Sequence, residues 1–190
     1  DPYTAEWPKS CPTQLHLAHM QEWPVGIPTD DCQANRRADS QRIVFSGNVD
    51  GRQSKLRVLE ISSRKLTDLV LPAPDCEHWY PRVSPDGGTL AFSCRWSQGS
   101  DDLFIADIHP DLTPSGPARQ ITHQRARIHD IAWAPDSQSL LYVGGPLDTG
   151  VIWRAFPFGG PAPAPVIALP DVVDHLDIPR HSWKLAYSHF

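Results

Sequence analysis

The chain has 190 residues, 40% of them hydrophobic, with a net charge of −5 and a pI near 5.9. That is enough apolar material for one globular core. No basic stripe is present, which argues against nucleic-acid binding by this segment, because neutralising phosphates needs clustered Lys and Arg. Twenty prolines and twelve glycines punctuate the sequence, favouring short strands and many turns over long helices.

Residues 1–34 are interrupted by Pro8, Pro12, Pro24 and Pro28. Thr13-Gln14-Leu15 faintly echoes a later segment, Arg119-Gln120-Ile121-Thr122. The stretch reads as a partial or degenerate copy of the unit that follows it. The first clear unit starts with Arg37-Ala38-Asp39-Ser40 and predicts strands over 42–46, 55–61 and 65–67. The second predicts a strand over 79–83, then the turn Ser84-Pro85-Asp86-Gly87-Gly88. Proline presets φ there, aspartate caps the turn backbone and glycine supplies positive φ. A strand over 89–93, a polar loop over 95–100, a strand over 103–108 and an outer strand over 118–122 follow. The apolar run at 103–108 fits a strand covered on both faces. The third unit repeats this order over 128–133, 140–143, 151–156 and 166–169, with Ala134-Pro135-Asp136-Ser137 as its turn. The fourth begins near Asp174, contains Pro179-Arg180-His181-Ser182, and stops at Phe190.

Anchored on Asp39, Asp86, Asp136 and His181, the units recur at 47, 50 and 45 residues. A period in the forties built of short strands predicts an all-β fold, a β-propeller fragment of about four blades, each a four-stranded antiparallel sheet. The expected layout is a partial blade at 1–34, blades at 35–78, 79–128 and 129–173, and the start of another at 174–190. Phe45, Phe92, Tyr142 and Tyr187 share one offset and are expected to fill the space between blades.

Pro81-Arg82-Val83-Ser84-Pro85-Asp86-Gly87, Ala132-Trp133-Ala134-Pro135-Asp136-Ser137 and Arg119-Gln120-Ile121-Thr122 resemble the TolB-like, WD-like propeller repeat. The resemblance covers about residues 36–190 and is strongest in the two middle units. Ile152-Trp153-Arg154 with Gly159-Gly160, and the ending Leu185-Ala186-Tyr187-Ser188, look like propellers fused to winged-helix transcriptional regulators of the CadC type. The first unit departs from the pattern with Arg37-Ala38 for Ser-Pro, and the last with Arg180-His181 for Pro-Asp. The family implies six or more blades, so the chain is expected to be truncated. A closed four-blade ring completed by residues 1–30 is the alternative.

Cys11, Cys32, Cys76 and Cys94 lack a C-x-x-C pattern, which disfavours a zinc ribbon. Free buried thiols are the expected state, with one or two disulfides as the alternative in an exported protein. The sequence contains no signal-peptide pattern, and no apolar run of about 18 residues predicts a membrane span.

Catalysis by a nucleophile needs a base and an orienting group in one pocket. No G-x-S-x-G elbow occurs and no spacing singles out a triad, so no catalytic, cofactor or metal residue is expected. His16 with His19, and His123 with His129, read as exposed histidines. Asp101, Asp102 and Asp107 lack a D-x-D-x-D-G pattern and read as turn caps and solvated carboxylates. Gly144-Gly145 and Gly159-Gly160 lack the lysine and helix of a phosphate loop. His78, His129 and His175 fall at or just before the inner strands and are the candidates for a channel or partner face. The reading is a non-enzymatic scaffold binding a protein or small ligand. The resemblance implies a sensor domain of a bacterial regulator or a TolB-like periplasmic adaptor. The alternative is the substrate-gating propeller of a prolyl-oligopeptidase-type serine peptidase.

Overall fold

The computed structural model describes residues 34–36, 41–48, 54–144, 150–170, 173–179 and 183–189. These form fourteen strands and no helix. The first sheet runs in order through β1 (Ala34–Arg36), β2 (Arg42–Asn48), β3 (Ser54–Glu60) and β4 (Lys65–Asp68). The second contains β5 (Glu77–Val83), β6 (Thr89–Ser97), β7 (Ser100–Asp107) and β8 (Arg119–Gln120), and the third β9 (Ile128–Trp133), β10 (Leu140–Gly144), β11 (Gly150–Ala155) and β12 (Ala164–Leu169). Strands β13 (Val173–Asp177) and β14 (Ala186–His189) form a two-stranded sheet. Every pairing is antiparallel between sequence neighbours. The architecture is an all-β propeller of stacked antiparallel blades. The first strands β1, β5, β9 and β13 lie in succession beside one another.

Burial explains why the strands read as continuous apolar runs. Along β6, Leu90 and Phe92 pack with Val44, Leu56 and Val58 of the first sheet. Their neighbour Ala91 joins Leu103 and Ile105 of β7 against Ile131, Leu140 and Tyr142 of the third sheet. Ala132, Val143 and Ile152 then pack on Val173 and Leu176. A blade between two others has no solvent face, so the usual alternation of polar and apolar residues is lost.

The described turns follow their chemistry. Ser84 Oγ donates to Asp86 Oδ1 at 2.5 Å, the Gly88 and Thr89 amides donate to Asp86 Oδ1 and Ser84 Oγ at 3.1 and 3.0 Å, and Gly87 has φ 80°. Ser137 takes Gly87's left-handed place in the third blade with φ 59°. It accepts a bond from the Asp86 amide at 3.1 Å, tying one turn to the next. The turns at 37–40 and 180–182 lie outside the described residues, as do His16, His19, Cys11 and Cys32.

Three expectations need correction. Residues 95–100 are not a loop: β6 runs to Ser97, β7 restarts at Ser100, and Gly99 turns the hairpin with φ 77°. Cys76 and Cys94 are not free thiols but a disulfide, with Cα atoms 5.6 Å apart. The residues beside them pair directly (His78 with Cys94, Glu77 with Arg95), which brings Cys76 against the neighbouring strand. Tyr187 is not buried like Phe92 and Tyr142; it is 47% exposed, in a sheet that has two strands among the described residues.

Candidate functional site

The three histidines singled out by sequence occupy successive first strands and differ in burial. His78 is buried with its ring 5.0 Å from that of Phe92. Neither ring nitrogen makes a well-formed hydrogen bond. Burial, then the Lys55 charge, pushes its pKa down to about 4, against weaker opposition from the Pro74 carbonyl and Asp75. His129 is half-buried, and His175 is exposed with Nδ1 3.8 Å from Asp130 Oδ2. Local register differs among the three strands. β5 bulges at Tyr80–Pro81, β9 skips His129, and β13 skips Asp174. A bulge re-aims the side chains around it.

The structure instead assembles a site around three aspartates that are almost wholly buried: Asp101, Asp102 and Asp130. The expectation that Asp101 and Asp102 are solvated is therefore overturned; only Asp107 stands at the surface, 3.6 Å from Arg119. A buried carboxylate must be ion-paired or fully hydrogen-bonded: Asp101 and Asp130 are paired with arginines, and Asp102 is held by four neutral donors. Asp101 accepts from Arg95 Nε at 2.9 Å and from the Ile128 amide at 3.0 Å. Asp102 accepts from the Trp96 indole, Gln120, Thr122 and the Arg125 amide at 3.1–3.3 Å. Asp130 accepts from Arg82 Nη2 at 2.6 Å and from the Leu176 amide at 2.8 Å. Arg82 also donates to the Ile131 carbonyl at 2.8 Å, and its own carbonyl accepts from the Trp133 indole at 2.9 Å. These bonds cross from blade to blade.

On the aspartates stands an aromatic and cationic rim. It lies at the end of the blades that carries the β6–β7 hairpin and the β8–β9 connection. The Arg95 guanidinium sits 4.9 Å from the centroid of Trp79, whose indole N–H donates to Glu77 at 3.3 Å. The Arg125 guanidinium sits 5.3 Å over Trp96. Such stacks place a cation over a negative π face. Burial alone would lower the pKa of Arg95, but its bonds to Asp101 outweigh burial and hold it above its ordinary value. Tyr80, with φ 53°, lies beside Arg95, and burial raises its phenol pKa despite that cation. Arg125 is exposed and has φ 47°, a conformation its amide bond to Asp102 helps hold. Among the described residues no group of three or more His, Cys, Asp or Glu is placed to hold a metal.

Sequence reasoning missed Arg95, Trp96 and Arg125. Arg95 and Trp96 read from sequence as polar loop, and the pairing of Arg95 with Asp101 across β6 and β7 is not visible in spacing. The available signal was two consecutive aspartates entering an apolar strand.

No protein-family model matches the chain, and no curated protein does. Among solved structures, a TolB structure from Agrobacterium tumefaciens is similar with a TM-score of 0.68 and 16% identity, over 84% of this chain and 55% of that one. The periplasmic gluconolactonase PpgL of Pseudomonas aeruginosa is similar with a TM-score of 0.57 and 16% identity, over 81% and 49%. The Cps50 (Swd1) β-propeller domain of Myceliophteria thermophila gives 0.52 and 13%, over 82% and 49%. At these identities the likeness is one of fold, to TolB-like and WD-type propellers. The chain spans about half the length of these structures.

Proposed function

We propose that this propeller is a non-enzymatic scaffold that binds a protein or small ligand on the rim formed by Trp79, Arg95, Trp96 and Arg125. The observation that carries the reading is the pair of Arg–Trp stacks fixed over buried, fully bonded aspartates. A recognition face on loops is most useful when a rigid frame holds it, and here the frame reaches the loop directly through Asp102. The Cys76–Cys94 disulfide supports an oxidising, extracytoplasmic compartment, because cytosolic thiols are kept reduced. The periplasmic setting named for the gluconolactonase fold relative is consistent with that. Within a larger bacterial protein, the same face would serve a TolB-like periplasmic adaptor or the sensor domain of a transcriptional regulator.

A photo-reactive amino acid at Gln98, on the exposed hairpin of this rim, tests the reading against one at Asp111, on the exposed loop at the opposite blade end. With extract of the source organism, adducts are expected from Gln98 and not from Asp111. Adducts from Asp111 alone, or equal yields from both, would refute the assigned face.

A further inference from the structure

The rim carries two guanidiniums that its own carboxylates, Glu77, Asp101 and Asp102, are not seen to pair. The chain carries −5, and five strand arginines are matched to carboxylates: Arg42 to Glu60, Arg57 to Asp68, Arg82 to Asp130, Arg95 to Asp101 and Arg119 to Asp107, while Arg154 of β11 donates to Ser139 Oγ and lies over the Phe156 ring. Among the described residues, Arg125 and Arg127, on the β8–β9 connection, show no ion pair. Arg125 is exposed and touches only an aromatic face with its guanidinium, while Arg127 is half-buried two residues on. The nearby buried charge of Asp102 offsets part of this field, but its lone pairs already receive four donors. It is therefore not a partner for either guanidinium. Exposed His123 lies on the same connection.

We infer that this rim receives an acidic peptide segment, its carboxylates taken by Arg125 and Arg127 and its side chains laid against Trp79 and Trp96. This rests on the scaffold reading above and adds the chemistry of the partner. A guanidinium held by stacking keeps its donor edge free, and that planar fork suits a carboxylate. Two half-exposed indoles, each tied through N–H to a carboxylate (Glu77 for Trp79, Asp102 for Trp96), supply rigid contact area at little entropic cost. A polyphosphate or nucleic acid fits less well. Affinity for it grows with the number of neutralised phosphates, and two guanidiniums on a molecule of net charge −5 offer few.

The test is to pan a random-peptide display library against the oxidised, folded chain and against R125E/R127E. A recovered peptide is then titrated by fluorescence anisotropy at low and high salt. Expected are peptides enriched in Asp and Glu, binding that weakens with salt, and a loss of roughly tenfold or more in R125E/R127E. R125K/R127K should retain part of the affinity. Because Arg127 is half-buried, the exposed-site variant R125E, with unchanged thermal unfolding, serves as the control for folding and should still weaken binding. Peptides without acidic bias, equal binding to the charge-reversed variants, or no recovered peptide would each overturn the inference. Neutral peptides that crosslink at Gln98 would leave the scaffold reading standing while removing the acidic partner, so the two failures are distinct.

Discussion

His78 shows how burial of one side chain sets a pH response. Its native pKa of about 4 lies below its ordinary 6.5, so the unfolded chain takes up the proton first as pH falls. Stability is unaffected above pH 6.5, declines through the window from 6.5 to 4, and levels off below it. The loss is on the order of 3 kcal/mol. Urea midpoints at pH 7 and pH 4.5 should show this loss in the native sequence and a smaller one in His78→Leu; equal loss in both would assign the effect elsewhere. Asp130 acts through pairing instead. Asp130→Ala strands the Arg82 guanidinium and the Leu176 amide, which should cost about 3–5 kcal/mol. Chemical denaturation measures it, and a change near zero would mean that water replaces the carboxylate. At Cys76 and Cys94, separated by 18 residues, the bridge should add about 3 kcal/mol by restricting the unfolded chain. Cys76→Ala/Cys94→Ala compared in the same assay checks that figure.

At the scale of elements, the β6–β7 hairpin decides where the rim stands. Gly99 turns it with φ 77°, and a Cβ added there would meet nothing within 4 Å. Gly99→Ala should therefore cost only the left-handed backbone penalty, about 1 kcal/mol, and thermal unfolding would report it. This hairpin also marks where sequence reading stopped. The turn Ser84-Pro85-Asp86-Gly87 was legible because each residue type has a local backbone reason to be there. Strand β9 was legible because it stands in the repeat just before a turn of the same kind, Ala134-Pro135-Asp136-Ser137. The 95–100 segment was not, since its polar residues look like solvent loop until Arg95 is seen paired with Asp101. Nor was the pairing of Cys76 with Cys94, which depends on register between strands rather than on spacing along the chain. Outer strand β12 differs from β4 and β8 in carrying no charge, and Pro165 and the bulge at Ile152–Trp153 are what interrupt its pairing.

For the molecule as a whole, stacking blades face to face removes solvent from both sides of the inner strands. Polar residues that appear there must be satisfied from within, and the three aspartates are together satisfied by side chains of their own blade and by amides and side chains of the adjoining connection or blade. The repeat period conveyed the stacking, because a blade recurs as a unit. It could not convey which carboxylates sit in the seams, because Asp101 and Asp102 face opposite sheets yet are both buried. The first strands also bulge at different residues, and His78, His129 and His175 differ in burial. What remains as the account's central claim is that recognition occurs on the rim above these seams. Amide hydrogen exchange with and without a recovered acidic peptide tests it most directly. The account predicts added protection confined to residues 95–101 and 121–128, while protection at the opposite turns, 84–88, 108–118 and 134–139, would contradict it.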